Sequence, residues 1–287
     1  MELNISTLDI SKIKRTKLQN IGIHYLDELD EIFRNSLNLN VPETKSALEI
    51  LARQLISGCI LSYIRELDIV LRDEIVAKRI IELTGLPGSG KTQVCFQLCI
   101  TTQLPHVIGG AEGHVVYFNT NKNFSQRRLA ELTKIFLENL KSNSCANITW
   151  QSILKNIFVF NIRNFEQLFA SITYLETFLP NKKVKLVIID SFTYPFKQVN
   201  IEDRTCLIYN FMEKLQNVAN AYDFAVVLTN DMTTRILEEK ASYVPSFGDS
   251  FFHRVNTRIK LSKADHGFYA EIIKSPTKVP VKTIFKI

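Results

Sequence analysis

Ile80-Ile81-Glu82-Leu83-Thr84-Gly85-Leu86-Pro87-Gly88-Ser89-Gly90-Lys91-Thr92-Gln93 is the stretch whose reading decides the fold. Gly85, Gly90, Lys91 and Thr92 fit the eight-residue phosphate-loop pattern without a mismatch. Glycines let the backbone form a tight cradle whose N–H groups converge on an anion. Leu86, Pro87, Gly88 and Ser89 complete that cradle, and Gln93 follows it. Lys91 would reach the outer phosphates, and the Thr92 hydroxyl would hold a magnesium ion bridging them. Ile80, Ile81 and Leu83 predict a strand before the loop. Val94 to Ile100 predict a helix after it, its amino end facing the phosphates.

The 287 residues are 46% hydrophobic, enough for one large domain and a small one with packed cores. Met1 to Ile10 carries acids and no long apolar run, so a signal peptide is not expected. No run of about 18 apolar residues occurs, which excludes a membrane span by helix. The five cysteines, Cys59, Cys95, Cys99, Cys145 and Cys206, are scattered and lack paired metal spacing. They read as packed free thiols in a reducing compartment. A net charge of +6 is compatible with nucleic acid without singling it out.

Residues 1–55 read as a small helical domain. Leu8, Ile10 and Ile13 lead into two short helices hinged at Gly22, and Pro42 opens a further helix to Leu55. Such a helix–hairpin–helix-like bundle either binds duplex phosphates through its hinge or serves as a protein contact. Residues 56–78 are the linker and the lead into the first strand, and 79–287 are the core. There, apolar strands Val115 to Phe118, Ile157 to Phe160 and Val184 to Ile189 alternate with helices Phe124 to Leu140, Phe165 to Phe178 and Glu202 to Ala221. That alternation predicts an α/β fold with a mostly parallel central sheet covered on both faces. The carboxy-terminal strands, Arg258 to Leu261, Phe268 to Lys274 and Val281 to Phe285, are expected as an antiparallel addition. The Val184 strand ends in Asp190, placed to orient magnesium through its water shell.

These residues resemble the RecA/RadA recombinase superfamily. The likeness rests on the phosphate loop, Gly109-Gly110 with Glu112-Gly113, the strand to Asp190 and the Leu228-Thr229-Asn230 strand end. Tyr194-Pro195-Phe196, Thr229 to Thr234, Val244-Pro245 to Gly248 and Lys274-Ser275-Pro276 point within it to the eukaryotic recombinase (Rad-fifty-one) paralogues, the C paralogue above all. The resemblance implies a RecA-like P-loop NTPase core and homologous-recombination repair of DNA double-strand breaks, including in meiosis. It implies ATP and Mg2+ as cofactors, other recombinase paralogues as hetero-oligomer partners, and weak binding to single-stranded or branched DNA. Residence in the nucleus, with the cytoplasm as a second location, follows from the same likeness. Arg128 matches the position that packs on adenine. Lys274, Ser275 and Pro276 match a cap laid over the next subunit's nucleotide.

Departures from the family pattern carry as much as the matches. The acid that polarises the attacking water is replaced by Asn121, within Asn119-Thr120-Asn121, and a neutral amide cannot accept a proton. Asp231 stands at the sensor position. Lys274 replaces a cap aspartate and either substitutes for a bound cation toward the neighbouring nucleotide or is an ordinary exposed lysine. Asp73-Glu74 stand where relatives carry paired glycines. The first expected DNA loop, Lys197 to Arg204, offers Lys197 and Arg204 against Glu202 and Asp203. The second, Thr233 to Phe247, offers Arg235 and Lys240 against Glu238 and Glu239, with Tyr243 and Phe247 either stacking on bases or packing the loop. The favoured expectation is a nucleotide-gated subunit that assists recombinase loading and barely hydrolyses ATP. The alternative is an active DNA-dependent ATPase with strand exchange of its own, and a small-molecule kinase lacks a visible acceptor site.

Overall fold

Apolar side chains alternate between two faces along the central strands, and each face meets helices. The computed structural model describes residues 46–48, 59–140, 148–237 and 240–286. The helix pair expected around Gly22, and nearly all of the helix expected after Pro42, lie outside these residues. The chain divides into two units, Met1–Ala52 and Arg53–Ile287, and the sheet belongs to the second.

In chain order the elements are α1 (Arg65–Leu71), β1 (Ile80–Gly85), α2 (Lys91–Thr101), β2 (His114–Asn119), α3 (Gln126–Asn139), α4 (Trp150–Lys155) and β3 (Ile157–Asn161). Then come α5 (Phe165–Phe178), β4 (Val184–Asp190), α6 (Thr193–Lys197), α7 (Ile201–Tyr222), β5 (Ala225–Leu237) and β6 (Lys240–Pro245). The last are α8 (Gly248–Arg254), β7 (Thr257–Ala264), β8 (Gly267–Lys274) and β9 (Lys282–Phe285). The sheet runs β3-β2-β4-β5-β1-β7-β8-β9, with β6 paired to β5.

Ile81 and Leu83 of β1, Val115 and Tyr117 of β2, and Leu186 and Ile188 of β4 face one core, which α2 and α3 cover. Their neighbours Ile80, Val116, Phe118, Val187 and Ile189 face the other, against α5 and α7. This two-faced burial is what a parallel sheet requires, and the expected α/β core with its mostly parallel sheet is borne out. Because β1, β2, β4 and β5 are parallel, the phosphate loop, Asn119, Asp190 and Asn230 arrive at one edge of the sheet. Ligands of open parallel sheets collect at that edge.

Two expectations need correction. The final strands are not all antiparallel: β7 runs parallel to β1, and only β8 and β9 turn back. The reason is α8, which crosses over between β6 and β7 and returns the chain to the starting end of the sheet. The segment after Asn230 is also no irregular loop. It continues as β5 and folds back on β6, with Thr233 opposite Val244 and Arg235 opposite Ser242. The β-branched residues Thr233, Thr234 and Val244 suit that pairing.

Candidate functional site

β1 delivers the chain into an exposed tip, Leu86, Pro87 and Gly88, before Gly90 starts α2. Gly88 and Gly90, with φ of 79° and 90°, take left-handed conformations that favour glycine. At Gly85 a β-carbon would lie 2.2 Å from the Leu261 carbonyl oxygen, so the cradle admits no side chain there. No side chain caps α2, which leaves its first N–H groups without acceptors at the end that attracts anions. Ser89 Oγ and Gln93 Oε1 are buried without a hydrogen-bond partner. The Ser89 hydroxyl and the open N–H donors suit a phosphate chain.

Lys91 lies inside this cradle, only 9% exposed. Its ammonium donates to the carbonyls of Gly85 (2.7 Å) and Leu86 (3.2 Å) and lies 3.7 Å from Asp231 Oδ1. Burial lowers its pKa, and the charge of Asp231 opposes that shift.

Asp190 is 2% exposed at the end of β4. Its Oδ2 accepts the Thr92 hydroxyl and the Tyr117 hydroxyl, both at 2.7 Å, and its Oδ1 accepts the Thr229 hydroxyl at 2.6 Å. Thr92 and Asp190, 98 positions apart in sequence, are therefore in direct contact. They are the residues that would hold a magnesium ion, which when bound supplies charge neutralisation to phosphate oxygens. Burial raises the Tyr117 pKa, so the phenol stays a neutral donor. The sequence reading gave Tyr117 and Thr229 no role at Asp190; a tyrosine within the apolar β2 was the available signal.

At the end of β2, Asn119 Nδ2 donates to Asn161 Oδ1 at 2.8 Å. Thr120 Oγ1 donates to the Ser191 carbonyl and accepts from its N–H, at 2.7 and 2.8 Å. Asn121 Oδ1 accepts from Asn123 N–H at 3.1 Å, a local turn that asparagine favours. Arg128, on α3 behind the Ser125 cap, is 44% exposed and 3.7 Å from Glu131.

Beneath the phosphate loop a polar stripe interrupts the apolar sheet. Glu82, fully buried on β1, accepts from Arg258 Nε of β7 at 2.6 Å and from Asn230 Nδ2 of β5 at 2.7 Å. Asn230 Oδ1 in turn accepts the Thr193 hydroxyl at 2.8 Å. Burial pushes the Glu82 pKa up, and the adjacent Arg258 charge pulls against it. Asp231, 29% exposed, pairs with Lys197 at 3.4 Å as well as with Lys91.

The segment after β8 is held by its own chain. Lys274 donates to the Phe252 and Val255 carbonyls at 2.8 and 2.6 Å, at the carboxyl end of α8, and lies 4.9 Å over the Phe252 ring. Cations are favoured at that end of a helix. The lysine is thus neither an outward-reaching side chain nor an ordinary exposed one. Glu74, fully buried, accepts the hydroxyls of Ser275 and Thr277, each at 2.6 Å, and also that of Thr257. Glu74, a departure from the family pattern, therefore fastens the segment containing Ser275 and exposed Pro276. Each hydroxyl deprived of a charged acceptor costs about 1.5–3 kcal/mol, less where water can replace it. Glu74→Ala is accordingly expected to destabilise the core by about 2–3 kcal/mol, read as a lower urea midpoint, with faster amide exchange across 274–278.

The basic residues expected to face DNA are partly engaged. Arg204 belongs to the first turn of α7, not to a loop, because α7 begins at Ile201; its guanidinium donates to the Val199 carbonyl at 2.8 Å. Lys197 ends α6 and pairs with Asp231. Together with Thr193, Tyr209, Thr233 and Phe247 these two line a cavity of about 380 Å³. Phe247 packs against Phe192, Phe196 and Phe251 at centroid distances of 5.7, 5.8 and 5.7 Å, so it serves the loop's packing. Tyr243 is 63% exposed. Arg235, also exposed, and Lys240 lie on the β5–β6 arm.

Fold and site together define a RecA-like core with a phosphate loop. Comparison with known proteins takes this further: the Rad51 family model matches residues 54–287, and the chain belongs to the Rad51 family. It is 31% identical over 257 residues to DNA repair protein RAD51 homolog 3 of Cricetulus griseus, covering 84% of this chain and 70% of that protein. The homologue of the same name from Dictyostelium discoideum is 30% identical, over 79% of this chain and 63% of its own length. DNA repair protein RAD51 homolog 2 of Mus musculus is 26% identical over 92% of this chain and 81% of its own. Among the described residues no helix is long and apolar enough to cross a membrane.

Proposed function

We propose that this chain binds ATP with Mg2+ as a nucleotide-gated subunit of a recombinase paralogue complex, working in the nucleus in homologous-recombination repair of DNA. In this reading Gly85 to Gln93 hold the phosphates, Thr92 and Asp190 the ion, and Arg128 the base. Bound nucleotide shapes a contact with another paralogue, made at exposed Pro276 on a segment that Lys274 and Ser275 hold against this chain, and the complex assists recombinase loading on single-stranded DNA. Turnover by the chain itself is slow.

The observation that carries this reading is that, among the described residues, no free base stands at the strand ends where water would be activated. Asn121 is neutral and its oxygen is engaged by Asn123 N–H. The two carboxylates at the neighbouring strand ends are also committed, Asp190 to three hydroxyls and Asp231 to two lysines. Loss of a positioned base costs a factor of about 100 to 10,000 in rate. The test is steady-state ATP turnover by the pure chain, alone and with single-stranded DNA and candidate paralogues. Asn121→Glu is expected to raise turnover about ten-fold or more. Wild-type turnover equal to that of an active recombinase would overturn the proposal.

A further inference from the structure

Lys91 and Lys197 share one carboxylate. Asp231 Oδ1 lies 3.7 Å from Lys91 Nζ and Oδ2 lies 3.4 Å from Lys197 Nζ. Their exposures differ sharply: Lys91 is 9% exposed, Asp231 29% and Lys197 59%. Asp231 is therefore the counter-charge that keeps a buried lysine in its cradle in the free chain. A phosphate group at the loop changes that balance. It claims the Lys91 donors and brings negative charge to within a few ångströms of Asp231, and like charges at such range repel.

The other partner is already in place. Asp231 N–H donates to Oγ1 of Thr193, the first residue of α6, at 2.9 Å, while its side chain pairs with the last residue of α6, Lys197. Both ends of that short helix are thus read by one residue. We infer that Asp231 is a relay carboxylate: a nucleoside triphosphate displaces it from Lys91, it passes wholly to Lys197, and occupancy of the phosphate loop is transmitted to α6. This rests on the nucleotide-binding reading above, and adds a route by which occupancy reaches the cavity that Lys197 and Arg204 line.

The relay makes two demands that simple neutralisation of Lys91 does not. First, Asp231 opposes nucleotide binding, so Asp231→Asn should bind a non-hydrolysable ATP analogue with Mg2+ about five-fold or more tightly, within the range of common coupling energies. Second, amide exchange across residues 193–200 should change when the wild-type full-length chain binds that analogue. The change should be lost in Asp231→Asn and in Lys197→Gln, the latter a substitution at an exposed side chain. Asp231→Asn affinity equal to or below wild type overturns the relay, as does an exchange response that survives in both variants. A wild-type chain that binds no analogue overturns the phosphate-site reading with it.

Discussion

Arg258→Ala is expected to cost about 3–5 kcal/mol of folding stability at neutral pH, the usual penalty for stripping one partner from a buried ion pair. Glu82 and Arg258 sit opposite each other in the β1–β7 register and are 0% and 6% exposed. Removing the guanidinium leaves a carboxylate enclosed by sheet, with Asn230 its remaining donor, and also takes a cation from the face of Phe252, 4.7 Å away. The loss would be measured by denaturant unfolding. Its pH dependence identifies the cause. Burial already holds Glu82 above its ordinary value of 4.5, and loss of Arg258 raises the folded-state value further. A group so raised favours folding below its unfolded value, and that favour is lost as pH rises through the folded value. The deficit of Arg258→Ala should therefore be small near pH 4.5 and grow toward pH 7. Glu82→Gln in the same background should recover most of the stability and flatten the profile. A deficit independent of pH in Arg258→Ala would assign the loss to packing instead.

That pair also marks where the sequence stops being legible. The phosphate loop could be read from eight consecutive residues because its chemistry is local. The sheet could be read because every central strand is apolar on both faces, which only a covered parallel sheet demands. Asp190 could be read because it follows such a strand. Long-range polar partners left no such trace. Glu82 stands in an apolar strand as an anomaly, yet nothing in the sequence says that its cation lies 176 residues away. Glu74 could be seen as a departure from paired glycines, but its partners Ser275 and Thr277 lie 201 and 203 residues on. The orientation of β7 depends on where α8 carries the chain, which a strand's own composition does not encode. Asp231 was legible as a charge near phosphate. Its double pairing was not, because Lys91 and Lys197 meet only once the strand ends are assembled.

Lys91→Ala should weaken binding of an ATP analogue by roughly 30- to 5,000-fold, corresponding to about 2–5 kcal/mol for truncating one partner of a buried charge pair. The argument begins with the position of the ammonium. It is 9% exposed, ringed by the Gly85 and Leu86 carbonyls, and desolvated enough that its pKa falls below the ordinary lysine value. A cation with few competing waters interacts strongly with an incoming anion. Deleting it removes that attraction and leaves Asp231 beside the cradle as a negative charge offset only by exposed Lys197. Both effects push affinity the same way. They can be separated in the double variant Lys91→Ala with Asp231→Asn, in which the repulsion is gone and only the lost attraction remains. That variant should bind more tightly than Lys91→Ala and more weakly than wild type, as measured by calorimetry with Mg2+ present. Affinity unchanged in Lys91→Ala would remove the phosphate loop from the site, whereas a double variant no better than the single would show that Asp231 exerts no repulsion there.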